Sequence, residues 1–223
     1  TCLPTYAVKC LIPALPEFQR AHPDITVHLA TSSTFNEFDR NSYDVAIRYG
    51  SGRWASARSD RLHDEEFFPV CSPAVLAEAG EFQSVEEALS RMRQVRTYFY
   101  SMYQDDWPAW LEAAVQEPVE FAGESVFHLQ LTSLAAAVDG VGIAIGRTPL
   151  VNADLASGKL VAPFDVRVPS NSAYFISSPV DKARTRKVEA FREWALSRLG
   201  ENRDRDSDAA QREAASPSVP EPC

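Results

Sequence analysis

The 223-residue chain combines 45% hydrophobic residues with a formal net charge of −9, so it can build a sizeable core but has no overall attraction to nucleic acids or anionic membranes. No apolar run approaches the roughly 20 residues that a membrane-spanning helix needs. The sequence begins at Thr1 rather than at an initiator methionine, and we therefore expect a fragment or a processed form of a longer protein.

Apolar spacing predicts helices and strands that alternate along residues 1–200. Residues 24–50 are the most informative stretch, because an alternating strand leads into a polar turn at Thr31 to Thr34 and a second strand stops at Gly50. Pro13 predicts a kink in the first helix or a late start of its regular part. Helices are predicted at about 6–22, 74–78, 84–92, 106–114, 127–138 and 183–199. Strands are predicted at about 25–30, 44–49, 67–71, 96–100, 119–122, 141–145 and 173–177.

This alternation predicts an α/β fold with sheets rich in parallel strands. The chain has no βα repeat of constant length, which favours two lobes over one sheet. We expect residues 1–71 and 178–200 to form lobe I and residues 72–177 to form lobe II, with crossings near Cys71 and Ser177. Residues 201–223 are polar and lack an apolar period, so we expect them to be a disordered tail.

The four cysteines predict neither a metal site nor a disulfide framework. Cys2, Cys10, Cys71 and Cys223 show no CxxC spacing, and no histidine cluster stands near any of them. Cys71 lies in an apolar run, where a buried thiol is expected. A reducing cytoplasm fits this pattern, although a Cys2–Cys10 bridge stays open as an alternative.

Five segments occur in register along residues 1–200. They are LIPALPEFQRAHPDITVHL (11–29), DVAIRYGSGRW (44–54), DEEFFPVCSP (64–73), AAAVDGVGIAIG (135–146) and LASGKLVAPF (155–164). Together they resemble the effector-binding domain of LysR-type bacterial transcriptional regulators. The Gly52-Arg53-Trp54 sequence and the Tyr103 to Trp110 segment are similar to the subgroup that holds the glycine-cleavage activator and the β-lactamase-inducing regulators.

The resemblance implies two Rossmann-like lobes of the type II periplasmic-binding-protein kind, with a small effector in the cleft between them. Members of this family carry an N-terminal winged helix-turn-helix that binds promoter DNA and that this chain lacks. They also form homodimers or homotetramers, in which helix 1 pairs with a strand of the partner, and Cys10, Leu11 and Ala14 could lie on that face. The resemblance implies no cofactor.

The resemblance places ligand contacts in four regions. The first is Pro4-Thr5-Tyr6 at the start of helix 1, where a hydroxyl and free backbone N–H groups would receive an effector carboxylate. Thr5 could instead be a simple N-cap. Pro4 departs from the small residue of the β-lactamase regulators and removes a donor.

The second region is the polar turn with Thr31 and Ser32, followed by Glu37. The Glu37 carboxylate could bind an effector amine or be a solvated loop residue.

The third region is the start of the helix after residues 119–122, with His128, Leu129 and Gln130. Leu129 and Gln130 stand where the subgroup has hydroxyl residues, which suggests a different effector, and His128 fits a surface or capping position equally well. The fourth is Tyr174, which matches an effector-contacting tyrosine but could be a half-buried strand residue.

No catalytic constellation accompanies these regions, since the sequence contains no GxSxG, HExxH, GxxxxGK[ST] or GxGxxG motif. We therefore predict a non-enzymatic, cytoplasmic sensor domain of a LysR-type regulator. Its ligand would be a small polar molecule such as an amino acid, a carboxylate or a cell-wall peptide. The alternative is a stand-alone periplasmic solute-binding protein of the same fold.

Overall fold

The computed structural model describes residues 1–32, 43–54, 57–98, 106–115 and 117–200. These ranges form two sheets with helices packed around them. The helices are α1 (Pro4–Tyr6), α2 (Ile12–Ala21), α3 (Pro73–Ala79), α4 (Val85–Ser90), α5 (Trp107–Ala114), α6 (Gln130–Val138), α7 (Asn152–Ala156) and α8 (Arg186–Arg198). The strands are β1 (Ala46–Gly50), β2 (Ala57–His63), β3 (Glu66–Val70), β4 (Arg93–Thr97), β5 (Gly123–Phe127), β6 (Ile143–Arg147), β7 (Val168–Pro169) and β8 (Ala173–Pro179). None of the described helices is long and apolar enough to cross a membrane.

The first helix runs without a break from α1 through a π-helical turn, Ala7–Leu11, into α2. The helical segment starts at Pro4, but its regular α-helical part begins only at Ile12, so the predicted late start of the regular helix is confirmed. The π turn ends at Leu11, two residues before Pro13, which has no N–H to place in the helical ladder. The extra residue is therefore accommodated next to the proline, where regular α-helical bonding is already incomplete.

The first sheet has the order β1-β8-β2, and both of its strand pairs are antiparallel. Cys2 adds single parallel bridges to Thr31 and to Ile47. The predicted strand at 25–30 is wrong. Among the described residues, this segment belongs to no ladder, and only the adjacent Thr31 forms a bridge, with Cys2. The prediction of parallel-rich pairing is also wrong for this sheet.

The second sheet has the order β5-β4-β6-β3-β7. Strands β5, β4 and β6 are parallel, whereas β3 is antiparallel to both β6 and β7. The predicted strand at 119–122 is wrong, because the pairing with β4 begins only at Gly123. Helix α6 begins at Gln130, three residues later than predicted.

The chain passes from the first sheet to the second between His63 and Glu66, and it returns between Pro169 and Ala173. The two crossings contact each other, since the Ser170 N–H donates to the Glu65 carbonyl at 2.8 Å. The first helix and α8 pack together beside the first sheet through Phe18, whose ring lies 5.1 Å from that of Phe191. The predicted lobe boundaries near Cys71 and Ser177 stay a prediction.

A second hydrophobic cluster surrounds Trp107 and Trp110, which are 2% and 0% exposed. Their indole N–H groups donate to the carbonyls of Val95 and Val166 at 3.1 and 3.0 Å. These tryptophans therefore belong to the core around the second sheet. The neighbouring Phe99, Tyr100 and Tyr103 lie outside the described residues, as do residues 201–223.

Candidate functional site

The start of the first helix carries a threonine, Thr5, that is largely buried. Leu3 is the N-cap residue and makes no side-chain cap, Pro4 is the first helical residue, and Thr5 is buried just after it. Within the described ranges, no hydrogen bond is made by the Thr5 hydroxyl. The interpretation of Thr5 as an N-cap is therefore wrong, and its hydroxyl is left for another partner beside the first-turn N–H groups.

Thr31 and Ser32 lie beside this helix start. Both are exposed, and the backbone of this segment pairs with Cys2, since the Ser32 N–H donates to the Cys2 carbonyl at 3.1 Å. The structure thus brings the first two predicted regions together through the N-terminal residues. Ser33, Thr34 and Glu37 lie outside the described residues.

The third region lies on α6, which contacts α1. Leu129 is the N-cap residue of α6 and is half-buried, and His128 is exposed. Gln130 is buried, and its amide donates to the Ile145 carbonyl at 2.7 Å and accepts from the Thr97 hydroxyl at 3.2 Å. The Gln130 side chain therefore ties α6 to the second sheet, and it would have to give up these bonds to contact a ligand.

The two predicted tyrosines meet in a buried aromatic group. The rings of Tyr6 and Tyr174 lie 4.8 Å apart, and Tyr174 also contacts the ring of Tyr49 at 5.1 Å. The Tyr6 hydroxyl and the Nε2 of His63 are 2.9 Å apart. Burial raises the pKa of both Tyr6 and Tyr174 well above the usual value, so both phenols stay neutral. Tyr174 is 3% exposed rather than half-buried, so it lies in the core.

A buried ion cluster joins the two sheets at their crossings, and sequence reasoning missed it. It consists of Arg147 at the end of β6, Glu65 in the outgoing crossing, Asp106 before α5, and the Tyr49 hydroxyl on β1. Arg147 Nη1 donates to the Tyr49 hydroxyl at 3.0 Å and contacts Glu65, and Arg147 Nε donates to Asp106 at 3.0 Å. A further contact links Arg147 Nη2 to Asp106, so the guanidinium bridges both carboxylates.

This buried ion cluster carries one more negative than positive charge. The Tyr49 hydroxyl donates to Glu65 Oε2, whereas Glu65 Oε1 is buried without a hydrogen-bond partner. Burial raises the pKa of Glu65, and the neighbouring Arg147 only partly opposes that shift. The two carboxylates in turn raise the pKa of Arg147 despite its burial, so the guanidinium stays charged. The only sequence signal was a charged residue directly after the apolar run of β6.

The cysteines of the described ranges are all free, so the alternative of a Cys2–Cys10 bridge is wrong. Burial raises the pKa of Cys2 to about 11, of Cys10 to about 12 and of Cys71 to about 11. These thiols are therefore poor nucleophiles at neutral pH. In the same part of the chain, no group of three His, Cys, Asp or Glu side chains is placed to hold a metal ion.

Comparison with known proteins explains this arrangement. The family model of the LysR substrate binding domain matches residues 1–200. The chain belongs to this family. As a LysR substrate-binding domain, it has the two-lobed, type II periplasmic-binding-protein-like fold that the sequence resemblance implied.

Two named relatives are transcriptional activators. The glycine cleavage system transcriptional activator of Escherichia coli K12 is 26% identical over 203 residues, which are 91% of this chain and 65% of that protein. The transcriptional activator AmpR of Pseudomonas aeruginosa is 30% identical over 193 residues, which are 86% of this chain and 62% of AmpR. The chain thus spans less than two thirds of the length of these relatives, and they are regulators rather than enzymes.

Solved structures agree with the sequence relatives. The AmpR effector-binding domain of Citrobacter freundii superposes with a TM-score of 0.71 at 26% identity, covering 90% of this chain and 96% of that domain. The effector domain of AmpR from Pseudomonas aeruginosa gives a TM-score of 0.73 at 28% identity, covering 92% and 96% of the two chains. The LysR substrate-binding domain described here is therefore similar to these domains over nearly its whole folded length.

Proposed function

We propose that this LysR substrate-binding domain senses a small polar effector and controls transcription as part of a cytoplasmic DNA-binding regulator. The observation that carries the proposal is the unbonded hydroxyl of the largely buried Thr5 at the start of the first helix, in a chain whose relatives are transcriptional activators. These relatives do not favour a stand-alone periplasmic solute-binding protein.

The effector class follows from the donors at that helix start. The Thr5 hydroxyl and the first-turn N–H groups favour a carboxylate, because they are donors at the positive end of a helix. Pro4 offers no N–H, so this end has one donor fewer than a helix without proline. The exposed hydroxyls of Thr31 and Ser32 would contact the polar remainder of an amino acid, a carboxylate or a cell-wall peptide, and Glu37 would bind an amine.

Effector binding would act by shifting the population of lobe arrangements. We propose that lobe I holds the sheet β1-β8-β2 and lobe II holds the sheet β5-β4-β6-β3-β7, with movement at the two hydrogen-bonded crossings between them. The change would be transmitted to an N-terminal DNA-binding domain of the full-length regulator through a homodimer or homotetramer.

The dimer face proposed from the sequence needs correction. Leu11 is buried, and Cys10 and Ala14 pack against the core, so none of the three presents a free apolar surface. The exposed apolar residues of the first helix are Val8 and Ile12, which are 46% and 48% exposed and one turn apart. We propose that this face of the first helix pairs with the edge strand β5 of a second copy, where Val126 is 50% exposed.

A ligand screen with a matched variant tests the proposal. Amino acids and cell-wall peptides are titrated by calorimetry against the wild-type protein, Thr5→Val and the remote control Thr185→Val. We expect Thr5→Val to weaken the binding of a carboxylate ligand by roughly fivefold, since a net hydrogen bond contributes about 1 kcal/mol. Thr185→Val should bind normally.

The same variants define the result that would contradict the site. In the full-length protein, Thr5→Val and Glu37→Ala are assayed for ligand affinity and for the ligand response of DNA binding. Unchanged ligand affinity together with unchanged DNA binding would show that the site assignment is wrong.

A further inference from the structure

Lys9 and Asp154 form an ion pair between elements of the two lobes. Lys9 Nζ donates to Asp154 Oδ2 at 2.6 Å, and the two side chains are only 18% and 11% exposed. Lys9 lies in the π turn of the first helix, which packs with α8 beside the first sheet. Asp154 lies in α7, which follows β6 of the second sheet. The pair therefore spans the boundary between the lobes.

The backbone holds both ends of this pair in place. On one side, the Ile12 N–H donates to the Ala7 carbonyl and closes the π turn around Lys9. On the other, the Asp154 carbonyl accepts from the N–H groups of Lys159 and Leu160 at 2.9 and 3.1 Å. Because the backbone is fixed at both ends, only the two side chains could adjust to a movement of the lobes, and the contact depends on the relative position of the lobes.

A second lysine–aspartate pair offers a matched comparison within one lobe. Lys187 Nζ lies 2.7 Å from Asp44 Oδ2, nearly the same distance, but joins α8 to the segment before β1. Its side chains are 56% and 43% exposed. A contact within one lobe persists when the lobes move, and an exposed pair contributes little.

We propose that the Lys9–Asp154 pair is a latch that holds the two lobes in the arrangement described above and opens when they rotate. Within the buried ion cluster, Glu65 lies on the outgoing connection, next to the point about which the lobes would rotate, whereas the Lys9–Asp154 pair does not lie on either connection. Thr5 lies on the same helix about one turn before Lys9, so a ligand at the helix start would act on the segment that carries the latch. That last link rests on the proposed function, whereas the latch itself does not.

Interlobe distances in the ligand-free protein test the latch. Spin labels are attached through a ketone-bearing unnatural amino acid at Arg58 on β2 and at Glu78 on α3, both exposed. Their separation is measured by double electron–electron resonance in the wild-type protein, Lys9→Met, Asp154→Asn, the charge swap Lys9→Asp with Asp154→Lys, and the control Lys187→Met. We expect a second distance population in Lys9→Met and in Asp154→Asn, its loss in the charge swap, and the wild-type distribution in Lys187→Met.

Three results would overturn the latch. These are an unchanged distribution in folded Lys9→Met and Asp154→Asn, an equal change in Lys187→Met, and a charge swap that does not restore the wild-type distribution. Circular dichroism and the melting temperature of each variant identify any variant that is unfolded. If Lys9→Met is unfolded, Lys9→Arg replaces it. Because Lys9→Arg keeps the positive charge, we expect the wild-type distance distribution, and a second population would count against the latch. Because no effector or DNA is used, the outcome is independent of whether the ligand screen finds a ligand.

Discussion

Removing Arg147 should be among the most damaging single changes in this domain. Arg147 is 7% exposed and bridges Glu65 and Asp106, which are 2% and 8% exposed. The substitution Arg147→Met keeps most of the side-chain volume but leaves two buried carboxylates without a cation. Breaking a buried pair in this way costs about 3–5 kcal/mol of unfolding free energy.

The size of the effect can be measured against an exposed pair. At about 2–4 °C per kcal/mol for a domain of this size, Arg147→Met should lower the melting temperature by roughly 6–20 °C. The control Arg96→Met removes an arginine whose pair with Glu124 is 38% and 45% exposed, and it should cost below about 1 kcal/mol. Urea unfolding of the three proteins gives the free energies, provided that the slope with urea concentration is the same in each.

A small loss in Arg147→Met would refute the reasoning. If its unfolding free energy falls no further than that of Arg96→Met, the guanidinium does not compensate the two carboxylates in solution. An electrostatic cause would be supported if Arg147→Met loses unfolding free energy by the expected amount and if this loss becomes smaller as the pH falls. Protonation of Glu65 and Asp106 removes the uncompensated charge.

Three further predictions follow from single contacts. Burial raises the pKa of Glu65, so the carboxyl group binds a proton more tightly in the folded than in the unfolded state. The free energy of unfolding therefore falls as the pH rises from the ordinary glutamate pKa through the raised pKa of Glu65. Urea unfolding at pH 5 and pH 8 should therefore show a smaller loss in Glu65→Gln than in the wild type, and an equal loss would contradict it. Gly52→Ala should lower the free energy of unfolding by about 1–3 kcal/mol, because the φ of Gly52 is +82° and an added Cβ would lie 2.6 Å from the Phe175 ring. An unchanged melting temperature would exclude that close contact. Cys71 should react with a thiol reagent only in denaturant, since it is buried and its pKa is raised to about 11, and labelling of the native protein detected by peptide mapping would count against this.

Elements with a clear apolar pattern could be predicted from the sequence, and polar elements could not. Strand β3 was predicted almost to the residue, because its Phe-Phe-Pro-Val run is buried throughout. Strand β2 was missed because it is largely polar and lies at the edge of its sheet, where it is held by backbone bonds to β8. Its existence depends on a partner strand more than a hundred residues away, which local periodicity does not report.

The candidate site shows the same division. Thr5 could be placed at a helix start from the residues around it, and the structure leaves its hydroxyl unbonded within the described ranges. The burial of Tyr6 and Tyr174 depends on the contact between the first helix and the first sheet, so their role as core residues was not visible in the sequence. Arg147 was missed because a charged residue after an apolar strand is normally at the surface, and its two carboxylate partners come from distant segments.

The order β1-β8-β2 has a consequence for synthesis of the chain. Strands β1 and β2 do not pair with each other, and both take their ladders from β8, which the ribosome produces more than a hundred residues later. All five strands of the second sheet are complete before β8 appears. The second sheet can therefore assemble during translation while β1 and β2 still expose unpaired edges, and these edges are the part of the nascent chain most open to aggregation and to chaperone binding.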